Sequence, residues 1–572
     1  MDITMKNFKE QLPIIRKTIQ EAHFFAIDTE FTGLTSERNI FPFDTPEEVY
    51  LKTIENSSDF VIIQLGLCAF QIDPDDGKVS YKCFNFYCYP KGRLNVFGCQ
   101  GESMRFLAEN GFDFNKLFRY GLSFCGEADE ERMRTELRER QEQRAAALQE
   151  DTQNDENGIL NMVPVPPAEE KLLADITEGI DNFLKGEEKT YTITNCNGFQ
   201  RKLVYQLIES KYSKLVSTSS VPLANNHKGI LIERKRSKEE EQQFQAERVV
   251  QENDDLDSIV GLSLVLQELS KTKKLIIGHN MLLDLLFVIR QFFRPLPHNY
   301  LEFKKIVREL FPILLDTKYL CTNAELKVHV NSSVLGHVFE SVQKEPFQMP
   351  QVTSGFEEHK YATDDQRQHE AGYDAYLTGL CFLGLVSYFK VDLKNILKDP
   401  TLKAYFNRIF LLRVTDVNYI YTHGKEPSVS REHVFYITFP ENWRSTDILI
   451  RFRNYGQVHI NWVNNCSAFV TLHNRDYASH VIKTIDKSSA QFTICTFNQF
   501  KAKQQCTGVK RRYDSGSYDR WHYIGIKTRE EEKASTVVVA PPPVTAEEVS
   551  AFSSGNQPKK AKKATFTDND DW

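Results

Sequence analysis

Four carboxylates placed where apolar runs start or stop constrain this chain more than any other feature. Asp28 and Glu30 stand in FFAIDTEF, Asp284 in LIIGHNMLLD, and Asp374 in HEAGYDAY, with His369 five residues before it. A short apolar run that ends in an acid is how an α/β sheet delivers side chains to a crevice at its edge. Phe24 to Ile27 read as such a strand, and Glu30 follows Asp28 at period two, on the same face. The apolar run from Val61 to Leu67 can pair with it. Leu275 to Gly278 form a further strand, His279 and Asn280 a turn, and Asp284 falls in the first turn of an apolar helix. Asp374 opens another helix, YDAYLTGLCFLGL.

Four carboxylates converging on one point repel one another unless divalent cations neutralise them. Hard oxygen donors suit Mg²⁺, and two such ions about 3.5–4 Å apart are the usual clamp for in-line phosphoryl displacement. The set therefore reads as a two-metal nuclease site, with Asp28, Glu30, Asp284 and Asp374 as the metal ligands. Each motif alone is common, and the order and spacing of the set carry the specificity. A histidine, with an unperturbed pKa of roughly 6.5, can take a proton from water near neutral pH, which makes His369 the candidate general base.

A length of 572 residues suggests about three domains, and a hydrophobic fraction of 41% is enough to give them cores. No stretch approaches the ~18 apolar residues of a membrane helix. The opening MDITMKNFKE lacks the apolar run of a secretory signal. Eleven cysteines without CxxC pairs indicate neither a zinc site nor a disulfide framework, so a reduced, soluble, intracellular protein is expected. The net charge of −7 looks wrong for a nucleic-acid enzyme until it is located: Glu127 to Glu170 hold 13 Asp and Glu against 5 Arg. That surplus of 8 leaves the rest of the chain near +1, so the whole-chain charge decides nothing about partners.

Residues 1–165 read as the first part of an α/β nuclease domain, closing in a charged helix (Asp129 to Gln149) and a Pro-rich linker. Residues 168–245 form a small inserted α/β domain, with LLADITEGIDNFL and FQRKLVYQLIESKY as helices and YTITNCN as a strand; ERKRSKEEEQQFQAER is a charged linker or helix. Residues 250–400 are the second part of the nuclease. A bridging helical stretch leads to a βαββαβ pattern over 429–503, and 506–572 is expected to be a disordered basic tail. Within that tail PKKAKKA, Pro558 to Ala564, suits nuclear import or simple solubilisation.

The ordered carboxylates and histidine resemble the DEDD superfamily of 3′–5′ exonucleases. The branch with a histidine base has it five residues before the last Asp, where His369 stands; the other branch carries Tyr four before, where this chain has Glu370. The resemblance implies an RNase H-like fold in which a water attacks the terminal phosphodiester and a nucleoside 5′-monophosphate leaves. The inserted segment resembles the single-stranded nucleic-acid binding domain of Arg-x-x-x-His type, with Arg201 kept and the His replaced by Tyr205. Those two could hold a phosphate and stack a base, or form an ordinary helix face. Residues 429–503 resemble an α+β RNA-recognition motif in which Phe435 and Phe469 are kept and one stacking aromatic has become Ser467. Trp462 ends its second strand beside Asn464 and Asn465, where an indole can stand exposed and stack on a methylated cap guanine, or else belong to the core.

The complete order, with FDTPEEVYLK, DFVIIQLGLC, FPILLDTKYL and HEAGYDAYLTGLCF, resembles the poly(A)-specific ribonucleases. That resemblance implies a homodimeric, Mg²⁺-dependent deadenylase of nucleus and cytoplasm. Such an enzyme acts on 3′ poly(A) RNA, releases 5′-AMP and senses the 5′ cap of mRNA. It also implies a poly(A) pocket in which Phe31 and Leu34 wedge the terminal bases, Asn280 bonds the RNA and Lys318 meets a phosphate. Two other functions use the same residues: a 3′–5′ exonuclease of RNA or DNA without poly(A) preference, and an RNA-binding adaptor without catalysis.

Overall fold

The structure, a computed structural model, describes residues 1–34, 40–90, 96–151, 163–186, 188–194, 196–213, 215–222, 228–235, 238–357, 360–361, 367–485 and 492–507. Two compact units separate: Met1–Ile40 with Asp44–Glu426, and Phe41–Phe43 with the chain from Pro427.

The first unit is built on a seven-stranded mixed sheet of β1 (Asp2–Ile3), β2 (Phe24–Phe31), β3 (Ile62–Ile72), β4 (Val79–Tyr87), β5 (Leu275–Gly278), β6 (Leu314–Asp316) and β7 (Val352–Ser354). Spatial order is β1-β4-β3-β2-β5-β6, with β7 also pairing β4. Strands β2, β3 and β4 run antiparallel to their neighbours in that trio, whereas β2, β5 and β6 are mutually parallel. Aromatic and branched residues fill these strands, and β3 is buried along nearly its whole length, as a strand covered on both faces must be.

Successive side chains feed opposite layers. Phe25, Ile27, Leu65 and Leu67 join one core with Leu12 and Ile15 of α1 (Phe8–Glu21). Phe24, Ala26, Cys68 and Phe70 join the other, beneath α5 (Ala371–Tyr388). Between these helices in sequence lie α2 (Glu127–Asp151), α3 (Lys238–Val260) and α4 (Leu282–Val288). Helix α5 docks on the sheet at Gly66 of β3, where a Cβ would stand 1.9 Å from the Ala371 carbonyl oxygen. Only glycine allows that approach.

Three expectations are corrected. The boundary between 245 and 250 falls inside α3, a continuous 23-residue helix; of the two readings of the charged segment, linker or helix, the helix holds from Lys238 on, tied by its Arg248–Glu252 ion pair and by Arg144 of α2 reaching Glu252. Among the described residues, the bridging stretch after 400 has only one short 3₁₀ helix, Leu402–Ala404, and then a hairpin of Arg408–Phe410 with Tyr419–Tyr421, rich in residues that favour strands. The first unit accordingly runs to Glu426, whose Oε1 accepts from the Tyr300 hydroxyl at 2.7 Å and the Tyr421 N–H at 2.9 Å and pairs with the buried Lys304 ammonium at 2.6 Å. The inserted segment has its two helices, Glu170–Lys185 and Gly198–Tyr212, and a three-stranded sheet ordered Thr190–Ile193, Lys228–Arg234, Val216–Pro222. Arg201 donates to the Cys196 and Lys228 carbonyls, each at 3.2 Å, and Tyr205 is exposed.

The second unit carries a four-stranded antiparallel sheet ordered Val458–Asn464, Ser467–Leu472, Val434–Thr438, Thr493–Thr496, with helices Ser445–Phe452 and Ala478–Thr484. Phe435 and Phe469 do not make an open stacking face. Register pairs Phe435 with Val470 and Tyr436 with Phe469, so Phe435 points into the core with Ile437 and Ile448. Phe469 lies on the other face, fully covered by Phe500 of the helix Phe497–Thr507 at 5.0 Å and by Phe43 at 5.3 Å between ring centroids. The basic cluster Pro558 to Ala564 lies outside the described residues. Among the described residues no helix is long and apolar enough to cross a membrane.

Candidate active site

Strand β2 continues past the point where its parallel partner ends. Its pairing with β5 stops at Ala26 and Ile277, so Asp28 and Glu30 project beyond the carboxyl end of β5, where α4 begins. On the other side Asp28 lies opposite Gly66 and Glu30 opposite Gln64, and a bulge follows between Glu30 and Phe31. Asp284 enters from the first turn of α4 and Asp374 from the first turn of α5. The five residues that stand apart in the sequence are thus brought to one edge of the sheet.

Ligand atoms of Glu30, His369 and Asp374 all lie within 4.8 Å of one another. Asp28 is bound to the same group by charge. Burial, and then the charges of Asp284, Asp374 and Glu30, hold its carboxyl well above the usual range. Burial followed by the charges of Asp374 and Asp284 does the same for Glu30. Burial pushes Asp284 up to about 6, opposed by the Thr29 hydroxyl, which donates to its Oδ1 at 2.6 Å. Burial pushes Asp374 up to about 7, opposed by the His369 backbone N–H, which donates to its Oδ2 at 3.0 Å.

Buried carboxylates, two of them raised by the charges of Asp284 and Asp374, fit divalent cations, since a bound cation reverses that electrostatic balance. Asp28, Glu30, Asp284 and Asp374 would hold them, all hard oxygen donors suited to Mg²⁺ or Mn²⁺. His369 differs in kind. Burial lowers its pKa, so at neutral pH it is uncharged and able to accept a proton. Its backbone takes a left-handed φ of 71°, and the Phe106 ring meets its imidazole edge-on at 4.5 Å.

Support comes from polar side chains below the site. Gln64 Oε1 accepts from the Ala371 N–H at 2.9 Å and Asn85 Oδ1 from the Gly372 N–H at 3.2 Å. Two strands thereby cap the amino end of α5, whose first N–H groups have no partner within the helix. His279, partly buried, places Nε2 at 2.9 Å from the Ser333 carbonyl and Nδ1 at 2.9 Å from the Thr317 hydroxyl. The carbonyl can only accept, which puts the proton on Nε2. Burial, and then the nearby Lys318 charge, lower His279 to about 3.

The residues implied for RNA are distributed around this edge. Phe31 follows Glu30 on β2, buried against the Phe287 ring at 4.6 Å, and Leu34 packs on the same core. Asn280 has a left-handed φ of 61°, and its N–H donates to Asp316 at 2.9 Å. Lys318 is largely buried, with its ammonium 5.8 Å from the centre of the Phe410 ring. Trp462, in the second unit, is 42% exposed and meets the Phe439 ring at right angles at 5.3 Å. Thr29, Gln64, Asn85 and Asp316 escape a reading of the sequence alone. Only Asp316 carried a signal, since it ends the apolar run FPILLD much as Asp28 ends FFAID.

Comparison with known proteins identifies the family. The family described as CAF1 family ribonuclease matches residues 3–382, and an RNA binding domain family matches residues 424–503. Poly(A)-specific ribonuclease PARN of Homo sapiens is 35% identical over 543 residues, which cover 91% of this chain and 83% of that protein. The same enzyme of Xenopus laevis is 33% identical over 544 residues, 92% of this chain and 86% of that protein. The pre-piRNA 3′-exonuclease trimmer of Bombyx mori is 29% identical over 400 residues, 67% of this chain and 71% of that protein. With its carboxylates, histidine and RNA-binding unit in this order, the chain belongs to the CAF1 family of ribonucleases, among the poly(A)-specific ribonucleases PARN.

Proposed function

We propose that this enzyme is a 3′–5′ exoribonuclease that shortens poly(A) tails by hydrolysis and releases 5′-AMP. One observation carries the reading. Glu30, His369 and Asp374 hold their ligand atoms within 4.8 Å of one another, beside two further carboxylates whose charges oppose theirs. Two divalent ions bound by Asp28, Glu30, Asp284 and Asp374 would supply Lewis acidity to the attacking and leaving oxygens. The chain's own residues do the rest. His369, neutral by burial, takes the proton of the attacking water at its free ring nitrogen. Thr29 fixes the direction of the Asp284 carboxylate, and the His369 N–H that of Asp374. Asn280 and Lys318, both tied to the strand end at Asp316, stand where an RNA 3′ end would be held, with Phe31 and Leu34 bordering the terminal bases.

Cap recognition belongs to Trp462, which is 42% exposed and meets the Phe439 ring at right angles, since an exposed indole can stack on a cationic methylguanine. Homodimer formation and a nuclear as well as cytoplasmic location rest on the likeness to the poly(A)-specific ribonucleases and, for the nucleus, on the cluster Pro558 to Ala564.

The deciding experiment incubates the protein and Mg²⁺ with capped and uncapped RNAs ending in runs of A, C, G or U. Selective AMP release from the A-run substrates is expected. Equal trimming of all four ends would make it a general exonuclease, and intact substrates an RNA-binding adaptor.

A further inference from the structure

We propose that Asp316 is a positioning residue for the nuclease reaction, holding the turn that delivers Asp284 and joining that turn to Lys318. The inference rests on the metal-dependent reading above and adds a residue to it.

Asp316 ends β6 and is completely buried. Its register partner in the parallel sheet is Gly278, the last residue of β5, so its carboxylate lies beside the start of the β5–α4 turn. Oδ1 accepts from the Asn280 N–H at 2.9 Å and the Lys318 N–H at 3.0 Å. Oδ2 accepts from the Met281 N–H and the Phe410 N–H, each at 3.1 Å. Four main-chain donors from three segments therefore meet on one side chain.

This saturation decides the role. A carboxylate offers about four acceptor sites, and the four N–H groups occupy them. Asp316 has no lone pair left for a cation, in contrast to the four acids at the sheet edge. Its effect passes through the main chain. Asn280 is held at φ 61°, a conformation that Asn tolerates but does not require. Met281 precedes the first residue of α4, so neither its N–H nor that of Asn280 has a partner inside that helix. Asp284 follows Met281 by less than one helical turn, and its Oδ1 accepts from the Thr29 hydroxyl of β2 at 2.6 Å. Releasing the turn from Asp316 re-aims the helix start while Thr29 still pulls on the carboxylate.

Asp316→Asn keeps the shape but points an amide NH₂ at two N–H donors. Mn²⁺ binding to the full-length enzyme, followed by electron paramagnetic resonance, is expected to weaken about 10–100-fold, the usual effect of losing a group that orients a metal ligand. The rate of AMP release should fall at low Mg²⁺ and recover in part as Mg²⁺ is raised. A control variant, Ile15→Ala on α1, alters a buried residue on a helix with no site residue. It should lower the melting temperature yet leave Mn²⁺ affinity unchanged. Wild-type Mn²⁺ affinity in Asp316→Asn, or equal losses of affinity in both variants, overturns the assignment. Absence of Mn²⁺ binding by the unaltered enzyme overturns the metal-dependent reading and this inference with it. Should Asp316→Asn fail to fold, hydrogen exchange of the unaltered enzyme decides. The Asn280 and Met281 amides are expected to exchange only through global unfolding, and fast exchange of these turn amides overturns the proposal.

Discussion

Single side chains at the sheet edge work against one another until cations arrive. Removing a carboxylate should therefore have opposite effects on chemistry and on stability without metal. For Asp28→Ala, Glu30→Ala, Asp284→Ala and Asp374→Ala, AMP release is expected to fall more than a hundredfold. A tenfold loss corresponds to only about 1.4 kcal/mol of barrier, far less than a misplaced metal ion should cost. Circular dichroism should show an intact fold, and the rise in melting temperature that Mg²⁺ produces in the unaltered enzyme should be absent. Retention of a tenth of the activity by any one variant would remove that residue from the ligand set. His369→Ala should slow single-turnover hydrolysis by roughly 10²–10⁴-fold, the range for a general base, with RNA affinity little changed. The four carboxylates were legible in the sequence because they stand at or beside the ends of apolar runs, and His369 because it lies five residues before Asp374. Thr29 was not, because a hydroxyl between two acids on one strand looks the same whether or not it reaches Asp284.

At the level of elements, one contact and one hydrogen-bonded ring bear on the geometry of the edge. Gly66→Ala forces a methyl group to within 1.9 Å of the Ala371 oxygen, in the turn that leads to Asp374. Overpacking of this kind costs about 1–3 kcal/mol, and a lower unfolding midpoint together with slower AMP release is expected. An unchanged midpoint would show that α5 can back away from β3 without cost. His279 supplies a pH dependence. Its folded pKa of about 3 lies below the unfolded value of roughly 6.5, so between those limits only the unfolded chain carries the proton. The stability it contributes is complete above about 6.5 and is lost as pH falls toward 3, by up to about 1.4 kcal/mol per unit. Unfolding midpoints of the unaltered protein and of His279→Gln should converge on acidification through that window; parallel curves would exclude His279 as the source. Buried strands were easy to read from their apolar runs, and the inserted helices from their periodicity. The hairpin at Arg408–Phe410 was missed because two three-residue strands leave too short a pattern. The run of α3 across the expected boundary at 245–250 was not read, because charges at helical spacing suit a solvated linker as well as a helix and left both open.

Across the whole molecule, the sequence disclosed which modules are present better than how their surfaces are used. The order of nuclease, insertion and RNA-binding unit was legible from the switch between periods and from turn residues. The fate of Phe435 and Phe469 was not, because register and a covering helix decide it, and neither shows in a strand's own residues. Trp462→Ala is expected to weaken binding of a methylated cap nucleotide by about 1–3 kcal/mol, the range for a stacked base, and to leave digestion of uncapped poly(A) nearly normal. Cap titration by tryptophan fluorescence paired with a melting curve tests this, and a melted domain or undiminished affinity would reject it.

The covered sheet has a further consequence. An open platform of this architecture lays two or three bases side by side and so reads a short word. Here Phe469 is sealed beneath Phe500 and Phe43, and among the described residues of this unit the aromatic rings more than a third exposed are Trp462, on the strand Val458–Asn464, and Tyr477, in the turn Arg475–Tyr477. A lone indole at a rim can grip one letter and no neighbour, so under the cap reading proposed above this unit would recognise that an RNA has an end and stay indifferent to what is spelled after it.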